Sequence, residues 1–215
     1  MLILLCVSYG ISLWMLIKTP DHSTSSRRFW IKLFTCMHPL LILLVGFLQD
    51  SVQLVDTRLV IALSFAFLGD VLLGLKHRFK KAMMLGILAF ILTHVALIVM
   101  FFTFETSLWL LLFISLLWII LYTAFARHLK LGAYAKVVAI YTFLILLMLG
   151  FASSRLFFEP TTIHFVQWLA AVSFILSDRL LAIKYFSDTL PAWVNPSYLI
   201  LYHTALCLFT LSLFL

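Results

Sequence analysis

The chain has 215 residues, of which 65% are hydrophobic and only 11% charged, with a mean hydropathy of +1.17 and a formal net charge of +7. A water-soluble domain is about half apolar and a quarter charged, so this composition excludes a water-facing surface and leaves no length for a soluble domain. Lys and Arg gather in short segments between apolar runs rather than on an aromatic-interleaved basic face, which argues against nucleic acid as a partner.

Apolar runs of about twenty residues, the length that crosses a hydrocarbon core, recur in chain order at Met1–Ile17, Phe29–Leu48, Thr57–Leu75, Ala82–Phe104, Ser107–Ala126, Ala135–Ser153, Ile163–Lys184 and Pro196–Leu215. Unbroken runs of this length exclude barrel strands, and in lipid only helices satisfy every backbone group within one segment. The expectation is an all-α, polytopic membrane bundle of eight transmembrane helices, forming one membrane-embedded domain over 1–215. The first run lacks a basic segment before it and a small-residue cleavage site after it, so it reads as a span and not as a signal peptide. Spans four and five are joined at Glu105–Thr106 and are expected to form a tight hairpin. Pro196 suits the first turn of the last helix. Cys6, Cys36 and Cys207 are scattered through apolar spans and read as small core residues.

Charge gives the orientation. Lys18, Arg27, Arg28 and Lys32 flank the first connection, Lys76, Arg78, Lys80 and Lys81 the third, Arg127, Lys130 and Lys136 the fifth, Arg179 and Lys184 the seventh. The other connections hold only Arg58 and Arg155. Alternation of this kind places the N-terminus and the C-terminus both on the non-cytoplasmic side. A bacterial inner membrane is the expected location.

Ionisable residues inside a membrane are costly and mark function by default. Asp70 lies in span three and Asp178 at similar depth in span seven; His38, His94 and His203 lie in spans two, four and eight, with Tyr141 and Tyr202 in spans six and eight. One polar cavity open to the cytoplasmic side would accommodate them. Each has a plainer reading. Asp178 and Arg179 can be an interfacial ion pair with Arg179 snorkelling, and His38 can bond backbone freed by Pro39. His22, His77, His128 and His164 read as solvated. Two membrane carboxylates suit acid–base chemistry; three His and two Asp can also hold a metal, although no HxxxH spacing occurs. Gly86, Phe90 and His94 share one helix face, and Gly86 and Gly69 would each admit a close neighbour.

The run Ser64-Phe65-Ala66-Phe67-Leu68-Gly69-Asp70-Val71-Leu72-Leu73 resembles the "SLLGDVLL" signature of the YhhN-like lysoplasmalogenase family. Phe79, Gly86, Phe90 and His94 resemble its span-four pattern. Phe174-Ile175-Leu176-Ser177-Asp178 with Leu180, Leu181, Ala182 and Phe186 is similar to its "FxxSDxxLA" motif. Tyr141, Met148 and Tyr202 resemble its later aromatic and methionine positions. The chain departs from the pattern at His38-Pro39, where the family commonly has Lys-Pro, and at Tyr202-His203, where it has two tyrosines.

The resemblance implies hydrolysis of the vinyl ether bond of a lysophospholipid substrate, a lysoplasmalogen drawn from the membrane lipids, to a fatty aldehyde and a glycerophospho-alcohol, with no cofactor. Under it Asp70 and Asp178 share the acid and base roles, His94 orients a carboxylate or water, and Tyr141, Tyr202, His203, Ser177 and His38 face the substrate. Lys76, Arg78, Lys80 and Lys81 either attract the phosphate or only fix topology. A metal-dependent lipid hydrolase and a proton-coupled small-molecule or lipid transporter are the alternatives; the absence of repeated halves disfavours the transporter.

Overall fold

An apolar run in a medium without water has one local solution, the helix, and the computed structural model, which describes residues 2–19, 26–49, 56–102 and 108–215, consists of helices and their connections. The α-helices are α1 (Leu2–Lys18), α2 (Ser26–Leu48), α3 (Thr57–Gly74), α4 (Ala82–Phe101), α5 (Leu108–Ala126), α6 (Ala135–Phe158), α7 (Thr162–Phe186) and α8 (Val194–Leu211). Six of them, α2, α3, α4, α6, α7 and α8, are long and apolar enough to cross a membrane; α1 and the Leu110–Ala126 stretch of α5 are apolar but shorter. The protein is thus an integral membrane helical bundle. The joint at Glu105–Thr106 lies outside the described residues.

Helix ends follow the chemistry of their boundaries. Asp56 caps α3 by accepting from the Arg58 backbone N–H, and Thr161 caps α7 by accepting from that of His164. Pro196 sits in the first turn of α8, as expected. Helix α6 runs five residues past Ser153, because Arg155 turns its guanidinium back to the Met100 carbonyl of α4 at 2.9 Å. His164, expected to be solvated, is instead buried and bonds the Glu159 carbonyl through Nδ1 at 2.6 Å.

Neighbouring helices form a closed circuit, α1–α2–α3–α4–α6–α7–α8 and back to α1, with α5 outside it against α6. The closest partnerships are α3 with α4 and α7 with α8. A Cβ on Gly86 would meet the Leu73 side chain at 2.9 Å, so this glycine sets how closely α4 lies on α3. The core is built from α2, α3, α4, α6, α7 and α8 around Leu59, Phe90, Met148, Phe174, Tyr202 and Phe209. Outward faces carry Ile3, Leu4, Phe47, Phe113, Leu116 and Ile120, apolar and exposed, as lipid contact requires.

Helix α5 is fastened to α6 at three heights. Ile114, its one buried side chain among the described residues, fills the notch at Gly150, where a Cβ would collide with it. Trp118 Nε1 donates to the Ala139 carbonyl and to Thr142 Oγ1, and Tyr122 donates to the Ala135 carbonyl.

Candidate active site

Between the α5–α6 pair and helices α4 and α7 lies a cavity of about 500 Å³. Its walls are mainly aliphatic and aromatic, among them Ile87, Phe90, Trp118, Leu121, Ile145 and Tyr185, and the polar groups on them include Asp178, Tyr141, Thr142, Arg179 and His128.

Asp178 is 6% exposed, and its Oδ2 accepts a 2.8 Å hydrogen bond from the Tyr141 hydroxyl. The interfacial pair with Arg179 is not what the structure has: the Arg179 guanidinium lies over the Phe125 ring, 5.2 Å from its centroid. His94 is fully buried behind the carboxylate, edge-on to Tyr141 and Phe174. Its Nδ1 lies 2.7 Å from the Phe90 carbonyl, one helical turn back. A carbonyl only accepts, so Nδ1 carries the proton and Nε2 presents its lone pair. That Nε2 is 3.6 Å from Asp178 Oδ2, beyond a hydrogen bond, and has no partner.

Asp70 is placed differently. It is 6% exposed but does not line the cavity. Lys32 Nζ lies 2.8 Å from its Oδ1, and the Tyr202 hydroxyl donates to Oδ2 at 2.5 Å. Phe174 stands between the two carboxylate groups, edge-on to Tyr202 on one side and to His94 on the other. Phe90 adds a second ring, edge-on to Tyr202 and laid over Gly69, where a Cβ would collide with it at 2.7 Å. The close neighbour admitted by Gly69 is therefore this ring.

The single cavity expected for all these groups thus resolves into separate parts. His38, His94, Tyr202 and His203 do not line it. His38 bonds Ser8 through Nε2 and the Phe34 carbonyl through Nδ1, and stacks on Tyr9. The Tyr9 hydroxyl lies 2.8 Å from His203 Nδ1. Ser177 is buried beside Asp178 but off the cavity wall. Among the described residues no group of three or more His, Cys, Asp or Glu is placed to hold a metal ion.

Sequence reasoning missed Lys32, Ser8 and Tyr9. Lys32 had a signal, since it falls three residues inside span two, but it was absorbed into the topological charge count. Ser8 and Tyr9 carried none, because nothing along one helix says which neighbour its hydroxyls meet.

The residues that converge here, Gly69, Asp70, Phe90, His94, Tyr141, Phe174, Asp178 and Tyr202, are the ones the motifs carry. A model of the YhhN family matches residues 31–213. The chain belongs to the YhhN family. No curated protein and no solved structure gives a significant match. Helix α1 lies before the matched region, so within this YhhN chain both positions that depart from the family pattern, His38 and His203, are held by Tyr9 from outside the match.

Proposed function

We propose that the protein hydrolyses the vinyl ether bond of lysoplasmalogens, with Asp178 as the acid and then the base, and His94 positioning its carboxyl from behind. The observation that carries this reading is the position of Asp178 on the wall of an apolar cavity, with the acceptor nitrogen of His94 beside it. Tyr141 occupies Oδ2, so in the protonated carboxyl the proton sits on Oδ1. It passes to the alkenyl carbon remote from the ether oxygen, and the adjacent carbon becomes an oxocarbenium ion facing the new carboxylate. Water adds to that carbon and gives a proton to the Asp178 carboxylate. The hemiacetal then collapses: Asp178 gives that proton to the departing glycerol oxygen and takes up the hemiacetal hydroxyl proton. One water is consumed, and an aldehyde and an alcohol leave.

Asp70 takes an indirect part in this scheme. Paired with Lys32, it holds the Tyr202 hydroxyl, and Tyr202 in turn braces Phe90 and Phe174. We further propose eight crossings with both termini on the non-cytoplasmic side, a single domain, and a bacterial inner membrane as its home. The alternating Lys and Arg support that topology.

The test supplies detergent-purified protein with a lysoplasmalogen and, separately, with an ester-linked lysophospholipid. Aldehyde release from the first alone, lost in Asp178→Asn, is the expected result. Full activity in Asp178→Asn, or equal turnover of the ester, would sink the proposal.

A further inference from the structure

Helix α7 presents two adjacent residues of opposite charge to the cavity, and only one has a place in the chemistry above. Asp178 is buried, whereas Arg179 is exposed and belongs to the same wall. The Arg179 side chain reaches Phe125, the residue before the last of α5, so its guanidinium stands at the cavity end where α5 gives way to a polar connection. Among the described residues no carboxylate is paired with it. His128 and Tyr185 line the same end, and Lys76 Nζ lies 4.0 Å over the Tyr185 ring. The Lys130 backbone N–H ties this connection to the Phe186 carbonyl at 2.7 Å, which keeps the rim together.

A cation that only set topology would have no need to line a cavity. Stacking on an aromatic face leaves the planar fork of an arginine with its N–H donors unspent, and that fork matches the paired oxygens of a phosphate. The occupant must therefore be apolar along most of its length and anionic at one end. Spacing chooses among such molecules. Arg179 follows Asp178 directly on one cavity wall, so the anion and the reacting group must be close neighbours on one molecule, as a phosphate and an ether on a single glycerol unit are. A fatty acid would carry its anion directly on the chain and bring only saturated carbon to Asp178.

We propose that Arg179 binds the phosphate of a single-chain glycerophospholipid, and that this contact sets the register of the chain against Asp178. This rests on reading the cavity as the ether-cleaving site, and it makes Arg179 a specificity-determining residue within it.

Binding separates this proposal from that reading. A saturated 1-O-alkyl lysophospholipid has no vinyl ether to cleave; with bromine on its chain it would quench Trp118, which lines the cavity. Trp118→Phe identifies the part of the quenching that belongs to this residue. Arg179→Gln should weaken binding of this ligand roughly 10- to 100-fold, the worth of a charge-assisted hydrogen bond. Binding of the equivalent brominated 1-O-alkylglycerol, which has no phosphate, should stay unchanged. Arg179→Lys, which keeps the charge and loses the fork, should fall between. Equal binding of the phospholipid by wild type and Arg179→Gln overturns the proposal. So does displacement of the lipid by glycerophosphate as effective as by its chain-bearing form, which would mark a site for soluble phosphate esters. If the affinity shift is found and no aldehyde is released from lysoplasmalogen, the hydrolase reading fails and the anion site stands.

Discussion

Asp70 and Asp178 sit in corresponding motifs, are equally buried and each accept a hydrogen bond from a tyrosine, yet their surroundings differ in kind. Asp70 is met by an ammonium group and by a tyrosine hydroxyl, and lies off the large cavity. Asp178 opens on a cavity and is met by an imidazole that offers a lone pair and no full bond. An electrostatically complete carboxylate has its interactions satisfied before any ligand arrives. An incomplete one leaves them for the ligand. The contrast teaches that burial alone does not mark a reactive acid; what matters is which partner is still missing.

The largest expected effect tests that distinction directly. Asp178→Asn removes the proposed proton donor while keeping the shape, and aldehyde release should fall by about 10²- to 10⁴-fold with the melting temperature in detergent little changed. Asp70 should behave in the opposite way. Lys32→Met strands its carboxylate in a buried setting, at a cost of about 3–5 kcal/mol, readable as a drop in thermal stability. Because two apolar groups can replace a buried pair with little loss, Asp70→Leu combined with Lys32→Met should regain most of that stability. If the double variant is no more stable than Lys32→Met alone, the pair is not the unit described here.

The two tyrosines sharpen the same comparison at smaller scale. A hydrogen bond to a charged group contributes about 1.5–3 kcal/mol, so Tyr141→Phe should slow turnover about tenfold with little change in melting. Tyr202→Phe should lower the melting temperature more than Tyr141→Phe does. Reversal of that order would show that the roles assigned to the two sites are exchanged.

Asp56, at the start of α3 and outside the spans, supplies the smallest effect and a reference for an aspartate with no part in the site. Burial works to raise its carboxyl, but the hydrogen bonds from the Arg58 side chain and backbone outweigh it and hold the group below its ordinary range. A carboxyl lowered by folding contributes stability above its unfolded value and loses it as pH falls through the folded one. Its share should therefore disappear below about pH 4. Asp56→Ala should cost about 1 kcal/mol at neutral pH, and acid titration of wild type and variant should converge.

Much of this was legible in the chain itself. Length and hydropathy gave the helices to within a few residues, and the misjudged end of α6 traces to Arg155, whose charge is answered by a carbonyl on another helix. The motif residues Asp70, His94, Tyr141, Asp178 and Tyr202 do converge. Their division into two groups was not legible, because it depends on how Phe90 and Phe174 stand against Tyr202 and His94, and the motifs that contain both rings carry nothing of that placement. Nor was the partnership of Lys32 with Asp70, since positions 32 and 70 meet only through the relative rotation of α2 and α3. Hydropathy carries no record of that rotation.

The attachment of α5 has a mechanical consequence. Pinned to α6 by Ile114 in the Gly150 notch and by the Trp118 and Tyr122 hydrogen bonds, α5 is cantilevered over the space it encloses. One of these pins, the Gly150 notch, lies a full turn beyond the last α6 residue that lines the cavity. A hydrogen atom in place of a methyl group at position 150 acts as a missing shim. One jaw of the caliper that sizes the chamber is thus set off its walls.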